Sequence, residues 1–285
     1  MIKSILRCFC CKVRRNVSVD IRNNLIEEKN ILNFKINKKI GEGKFGDVYL
    51  CVHKLTNKLY AIKKSKTVNR LFVNELKYLR RIKHSSLIEL KESFLEESYH
   101  YLVLEYYPQG DLFKYIKERH DFDDIKIRKI ILNILRPLLF LKQCKVVHLD
   151  IKPENYLIRD INKLDIVLTD FGTMREYKEL NKEYNLRNVL GTKLYASPEV
   201  LKKSFNSKSD VWSLGQIMLI LVSGKMISYN EMLTQLDIND MLREFKVGKS
   251  YNLIKSCLTI NILNRIDLED IIDNKWLEEY YMNTG

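Results

Sequence analysis

Two carboxylates, a lysine and an amide occur close together within residues 146–172. Asp150 is followed by Lys152 and Asn155, and Asp170 comes after a run of β-branched and aliphatic residues. Phosphoryl transfer needs such a set, because one carboxylate can orient the attacking hydroxyl and a cation can neutralise the moving charge. An amide oxygen and a second carboxylate are ligands that Mg²⁺ accepts. This set of residue types is therefore the one that a site for phosphoryl transfer would need.

The segments HLDIKPEN and DFG that contain these residues resemble the catalytic and metal-binding loops of eukaryotic protein kinases, in the serine/threonine form. The resemblance implies that Asp150 accepts the proton of the substrate hydroxyl and that Lys152 contacts the γ-phosphate. It makes Asn155 and Asp170 the ligands of Mg²⁺, with ATP as donor and protein hydroxyls as acceptors. It also implies an α+β fold of two lobes, a small β-rich N-lobe and a larger helical C-lobe.

The motifs predict how the chain is divided. We expect a basic N-terminal segment over 1–30, a kinase domain over 31–281 and a tail over 282–285. Within the domain we expect an N-lobe over about 31–104, a hinge over 105–108 and a C-lobe over 109–281. Because the chain stops at Gly285, we expect no regulatory domain after the kinase fold.

The composition is that of a globular chain with an excess of cations. The chain has 285 residues, of which 46% are hydrophobic, and a formal net charge of +13 at pH 7. No basic run is interleaved with aromatic residues, so we expect no nucleic-acid partner. No stretch is apolar for long enough to predict a membrane-spanning helix. The six cysteines indicate free thiols in a reducing compartment, and by default we expect a cytoplasmic monomer.

Residues 1–16 form a basic segment that contains Cys8, Cys10 and Cys11. Ile2 stands where N-myristoylation requires glycine, and the apolar stretch is too short for a secretory signal. Cysteines beside basic and apolar residues suit S-acylation, which would hold the chain at a membrane surface. A disordered tail and an Arg-rich, acid-free transit peptide fit the same residues, so three interpretations stay open.

Gly41, Gly43 and Gly46 lie between two β-prone runs, and Val48 follows them. A dinucleotide-binding loop would lead into a helix, whereas these glycines lead into the strand-forming sequence VYLCV. In the kinase family this hairpin covers the ATP phosphates, because residues without Cβ let backbone N–H groups approach closely. The resemblance places Val48 in the same nucleotide site.

The sequence KLYAIKK resembles the third-strand VAIK element of the family. Alternation places Ala61 and Lys63 on one face of the strand and Lys64 on the other. The resemblance makes Ala61 part of the nucleotide site and Lys63 the lysine that pairs with the α- and β-phosphates. A helix is predicted over about 69–82, and its one acid, Glu75, is the expected partner of Lys63.

Strand-forming residues run to Leu104, before a turn marked by proline and glycine. By resemblance, Leu104 is the gatekeeper, and the backbone groups of Glu105 and Tyr107 bind adenine. Asp111 would reach the ribose or a basic substrate side chain, and Leu157 would line the nucleotide site.

Leu149 stands where most kinases have an arginine that binds a phosphate on the activation segment. Residues 174–191 contain no Ser or Thr, and their only hydroxyls belong to Tyr177 and Tyr184. These two absences lead to the hypothesis that activity does not depend on phosphorylation of this segment.

The acceptor is also suggested by resemblance. GTKLYASPE resembles the family signature in which Thr192 bridges the catalytic aspartate and lysine, which favours a Ser or Thr acceptor. Thr173 directly follows DFG and is β-branched. By resemblance, a β-branched residue at this position is typical of kinases that prefer threonine as the acceptor. Asp111 and Glu154 suggest basic residues before the acceptor.

Four further residues carry structural expectations. We expect Asp210 to cap the central apolar helix and to brace the catalytic loop, and Glu199 to pair with Arg265. An apolar run over 124–145 predicts a buried helix, which Pro137 should kink unless it is accommodated.

Two alternatives belong to other functional classes. The chain could be a pseudokinase-type scaffold, or a membrane-tethered interaction module. Lys63, Asp150, Asn155 and Asp170 are all present, which favours an active kinase.

Overall fold

The computed structural model describes residues 31–43, 46–66, 70–119, 122–179, 191–230, 232–245 and 247–284. The predictions for the N-terminal segment with its three cysteines, and for Tyr184, fall outside the described residues. Contacts divide the chain into two units. Among the described residues the first comprises 31–108 with Thr169–Gly172, and the second comprises Gln109–Leu168 and the chain from Thr173. The boundaries expected from the sequence include residues 169–172 in the C-lobe, whereas the contacts place them in the first unit.

The first unit is built on an antiparallel sheet in the order β1-β2-β3-β5-β4. Its elements are β1 Phe34–Gly43, β2 Gly46–His53, β3 Leu59–Ser65, α1 Arg70–Arg81, β4 Leu90–Glu96 and β5 Tyr99–Glu105. Strand alternation gathers Phe34, Phe94 and Tyr101 into one buried cluster. Helix α1 buries Phe72, Leu76 and Leu79, which recur at helical spacing on one face.

The second unit is mainly helical. Its helices are α2 Leu112–Glu118, α3 Asp124–Gln143, α4 Pro198–Leu201, α5 Ser209–Ser223, α6 Gln235–Glu244, α7 Tyr251–Cys257, α8 Leu268–Ile272 and α9 Lys275–Thr284. Short strands β6 Val146–Val147 and β9 Arg175–Glu176 pair with each other, as do β7 Tyr156–Asp160 and β8 Asp165–Leu168. Helix α5 is buried on every side, which its nearly continuous apolar sequence requires. A β-sheet unit and a helical unit are the predicted α+β composition.

Helix α3 runs through Pro137, which is buried, so the proline does not end the predicted helix. Pro137 has no N–H to offer the carbonyl four residues before it, which belongs to Asn133. The side chain of Asn133 donates to the carbonyl of Leu164 at 2.9 Å and ties the helix to the β7–β8 turn. Nothing in the structure gives Pro137 a function. Within the described residues, no helix has the length and apolarity needed to cross a membrane.

Glu199 and Arg265 form the expected ion pair. Arg265 donates from Nη1 to Oε1 of Glu199 at 2.7 Å and from Nη2 to Oε2 at 3.0 Å, and it also donates to the carbonyl of Thr259 at 2.9 Å. Burial by itself raises the pKa of the Glu199 carboxyl, but the hydrogen bonds and the charge of Arg265 outweigh burial and lower it. The pair joins the start of α4 to the segment before α8.

Replacing Arg265 by methionine should therefore destabilise the second unit. Arg265→Met leaves Glu199 buried without its cation, and we expect the free energy of unfolding at neutral pH to fall by about 3–5 kcal/mol. The wild-type pair contributes fully above the ordinary Glu pKa of 4.5, and its contribution is lost as pH falls through the lower folded-state pKa. In the variant, burial without the cation should raise the pKa of the Glu199 carboxyl, so the deficit should shrink as the pH approaches 4.5.

Urea unfolding at neutral and acidic pH measures this effect, and Arg265→Lys, which keeps the charge, is the matched control. A deficit in Arg265→Met that does not change with pH would show that lost packing, not the unpaired charge, dominates.

Candidate active site

The glycine-bearing hairpin and β3 bring three predicted nucleotide-site residues together in the first unit. The strand register pairs Gly41 with Val48 and Val48 with Lys63. Residues directly opposite each other share a face of the sheet, and Ala61 lies two residues from Lys63 on the same strand. Val48, Ala61 and Lys63 therefore form one surface, with the glycine backbone beside it.

Gly46 has a structural reason for lacking a side chain. Its φ is +136°, and a Cβ there would lie 2.1 Å from the carbonyl oxygen of Lys64. The family resemblance accounts for this glycine only by the close approach of a phosphate. The structure adds a second reason, since the β3 backbone leaves no room for a side chain.

Lys63 lies beside Glu75, as expected. Its Nζ is 2.6 Å from Oε2 of Glu75, and both residues are buried. Burial lowers the pKa of the Lys63 ammonium, but the negative charges of Glu75 and Asp170 outweigh burial and raise it. Lys63 is thus held as a cation. Glu75 of helix α1 orients its ammonium group, which could bind an anion.

Asp170 belongs to the first unit and carries a buried oxygen. Its Oδ1 has no hydrogen-bond partner among the described residues, and its φ is +64°, a conformation that non-glycine residues rarely adopt. The two residues that follow are bound by Asn74 of helix α1, whose Nδ2 donates to the carbonyl of Gly172 at 2.8 Å and to that of Phe171 at 3.4 Å. Sequence reasoning did not single out Asn74.

The expected adenine-binding residues lie at the end of β5. Leu104 is buried and pairs with Ala61 across the sheet, and Tyr107 is also buried. The backbone N–H of Glu105 donates to the carbonyl of Glu89 at 3.4 Å, so this group is already bonded within the unit. Adenine would have to use the other backbone groups of this segment.

In the second unit, three predicted residues surround the carboxylate of Asp150. Its Oδ1 accepts the backbone N–H of Thr192 at 2.7 Å, and its Oδ2 accepts from Nδ2 of Asn155 at 3.1 Å. Lys152 lies 3.1 Å from the same Oδ2 and donates to Oγ1 of Thr192 at 2.6 Å. Three donors therefore fix the orientation of one carboxylate, which is the arrangement required of a group that orients a hydroxyl.

Gly191 is a second residue that sequence reasoning left without a function. Its φ is +75°, and a Cβ would lie 2.3 Å from the carbonyl of Leu149 and 2.9 Å from Oδ1 of Asp150. Only glycine lets the chain come close enough for the N–H of Thr192 to reach Asp150. The signal was its place directly before Thr192 in the GT pair.

The backbone of the catalytic loop is held by Asp210. This buried carboxylate accepts the N–H of His148 at 2.7 Å and that of Leu149 at 2.8 Å. The expected bracing is present, but the expected cap is not, because α5 begins at Ser209 and Asp210 lies in its first turn. Both carboxylate oxygens point to the loop instead.

Asp111 is the N-cap of α2, since its Oδ1 accepts the N–H of Lys114 at 2.8 Å. It also forms an isolated backbone bridge with Leu157, next to the bond from the N–H of Ile158 to the carbonyl of Gly110 at 2.8 Å. The structure thus places Asp111 next to Leu157. One carboxylate oxygen of Asp111 is already bonded to the first turn of helix α2.

Comparisons with known proteins agree with this geometry. The family model for the protein kinase domain matches residues 34–277. The chain belongs to the protein kinase family. Calcium-dependent protein kinase 4 of Plasmodium falciparum is 32% identical over 292 residues, which cover 94% of this chain and 53% of the relative. Calcium-dependent protein kinase 5 of Plasmodium berghei is 28% identical over 304 residues, with 93% and 53% covered. The chain spans about half the length of the curated relatives that it matches.

The residues of this kinase domain fit the groups that the family uses. The unpartnered Oδ1 of Asp170 is an acidic oxygen suited to a divalent cation. The side-chain nitrogen of Asn155 donates to Asp150, so the side-chain oxygen of Asn155 is the atom that could bind a metal. Lys63 and the glycine backbone suit the phosphates of ATP, and the apolar Val48 and Ala61 suit its base.

Thr192→Val should slow phosphate transfer, because valine has the shape of threonine but cannot accept from Lys152. A lost hydrogen bond to a charged donor corresponds to a fall in kcat of about tenfold or more. Thr192→Ser, which keeps the hydroxyl, is the control and should stay close to wild type. Steady-state kinetics at saturating ATP measure the effect, and a valine variant within twofold of wild type would contradict it.

Proposed function

We propose that this chain is a protein kinase that transfers the γ-phosphoryl of Mg-ATP to serine and threonine hydroxyls of proteins. The observation that carries the acceptor class is the contact of Thr192 with both Lys152 and Asp150. This threonine lies in the signature that resembles serine/threonine kinases. The similar proteins are named calcium-dependent protein kinases, which supports protein kinase activity in general.

Each group has one task in this proposal. Asp150 accepts the proton of the incoming hydroxyl, and its three donors keep the accepting oxygen in place. Lys152, steadied by Thr192, lies next to that oxygen and neutralises charge on the moving phosphoryl. Lys63, oriented by Glu75, holds the phosphates of the nucleotide. Asn155 and Asp170 would hold Mg²⁺, which supplies positive charge to the phosphate oxygens.

We further propose that activity does not require a phosphate on the activation segment. Leu149 is buried in a cluster with Val147, Ala196, Val200 and Phe205, and the partly buried Tyr177 and Leu201 pack against it. This cluster joins residues from before and after 180–190 to the catalytic loop. An apolar side chain cannot bind a phosphate, but it can hold both flanks of the segment by burial.

The decisive experiment uses the full chain after phosphatase treatment. We expect transfer of phosphate from labelled Mg-ATP to a peptide panel, and loss of that transfer in Asp150→Asn. The same panel tests whether Thr173 is associated with threonine acceptors, since each peptide is made with serine and with threonine. Mass spectrometry before and after treatment reports phosphate within 174–191. Stoichiometric phosphate there, together with activity lost on its removal, would contradict independence from activation-segment phosphate.

Glu154 supports a preference for basic residues before the acceptor. Its Oε2 is buried and has no hydrogen-bond partner among the described residues. Burial, and then the charge of Glu154, raise the pKa of the neighbouring Tyr195 hydroxyl. A buried carboxylate oxygen without a partner can be stabilised by an incoming cation, whereas Asp111 already uses one oxygen to cap α2.

Glu154→Gln should reduce kcat/KM about tenfold for peptides with arginine before the acceptor, because a charge-assisted bond is lost. Peptides with alanine at those positions should be unaffected. Glu118→Gln is the control, since Glu118 is an exposed acid of the same unit. Equal losses for basic and neutral peptides would show that Glu154 supports the fold of the loop and does not select the substrate.

A further inference from the structure

We propose that Asn74 is a positioning residue that holds the metal-binding loop at Asp170 to the helix that orients Lys63. The inference rests on the proposed function, because it concerns the Mg²⁺ site of that same reaction. All the residues that carry it belong to the first unit.

The contact is specific in its geometry. Nδ2 of Asn74 donates to the carbonyl of Gly172 at 2.8 Å and to that of Phe171 at 3.4 Å. Gly172 lies against the same helix, since a Cβ on it would be 3.4 Å from the carbonyl of Leu71. Helix α1 therefore contacts the two residues after Asp170 through one side chain and through its own backbone.

Asp170 needs a restraint of this kind. Its backbone is in the left-handed region at φ +64°, which is unfavourable for a residue with a Cβ. Its buried Oδ1 has no hydrogen-bond partner within the described residues, so no hydrogen bond at that oxygen offsets the cost of burial. Bonds to the carbonyls of Phe171 and Gly172 restrain the backbone that directly follows Asp170, and so limit the movement of the loop that carries its side chain.

The consequence is a link between two parts of the site. Asn74 is the neighbour of Glu75, which contacts Lys63 at 2.6 Å. The position of helix α1 thus determines both where the Lys63 ammonium group lies and where the loop at Asp170 lies. If the loop holds its binding conformation for only a fraction of the time, the apparent affinity for the metal falls by that fraction.

The test compares Asn74→Ala with wild type in the full chain. Alanine is a better helix former than asparagine, so the substitution should not weaken α1 through helix propensity. Val73→Ala, at the preceding half-buried position of the same helix, is the control. Thermal unfolding is followed with a non-hydrolysable ATP analogue at fixed concentration while Mg²⁺ is titrated. Hydrogen exchange of peptides that contain residues 170–172 is measured without metal.

We expect Asn74→Ala to need about three- to tenfold more Mg²⁺ for half of the metal-dependent stabilisation, as loss of such a bond implies. Exchange at 170–172 should become faster, and Val73→Ala should show neither effect. A lower melting temperature without a change in the Mg²⁺ midpoint would overturn the proposal, because it would assign Asn74 to structure alone. Wild-type protein that gains no stability from Mg²⁺ with nucleotide would instead overturn the proposed function, and this inference with it.

Discussion

The catalytic loop depends on one buried carboxylate. Asp210 is enclosed in the second unit, and burial raises the pKa of its carboxyl in spite of the N–H groups of His148 and Leu149 that donate to it. Burial of a polar group is costly unless it is bonded, so the loop must supply these two donors. The same bonds hold Leu149 at a φ of +69° and thereby direct the next residue, Asp150. Stability and catalytic geometry are thus set by one interaction.

The backbone at or beside two residues that carry chemistry is in a conformation that is unfavourable in isolation. Leu149, which precedes Asp150, and Asp170 itself have φ values of +69° and +64°. Each is restrained by neighbours: Leu149 by Asp210 and an apolar cluster, Asp170 by the bonds of Asn74 to the residues that follow it. A strained backbone conformation persists only where surrounding contacts hold it in place. Here those contacts come from Asp210, the apolar cluster and Asn74.

Much of the site could be predicted from the sequence, because motif spacing and strand alternation identify Lys63 and a short helix offers one acid, Glu75. The contacts of Thr192 were likewise implied by its signature. Asn74 could not be found in this way, since a single asparagine on a helix is typical of a solvated surface. The function of Asp210 was only half predicted, because an acid in the first turn suggests a cap until the loop beside it is known. The crowding at Gly46 depends on the β3 backbone, which no local pattern reveals.

The cluster around Leu149 bears on where control could act. An arginine that binds phosphate gives a contact that can be made and broken, whereas buried apolar side chains give one that is always present. If the flanks of the activation segment are held in this way, a switch must act on another element. Helix α1 is suited to this, because a small shift of it would break the contact of Glu75 with Lys63 and that of Asn74 with Gly172 together. Regulation would then alter the orientation of the Lys63 ammonium and the metal-binding loop in one step. It would need no modified residue in the activation segment.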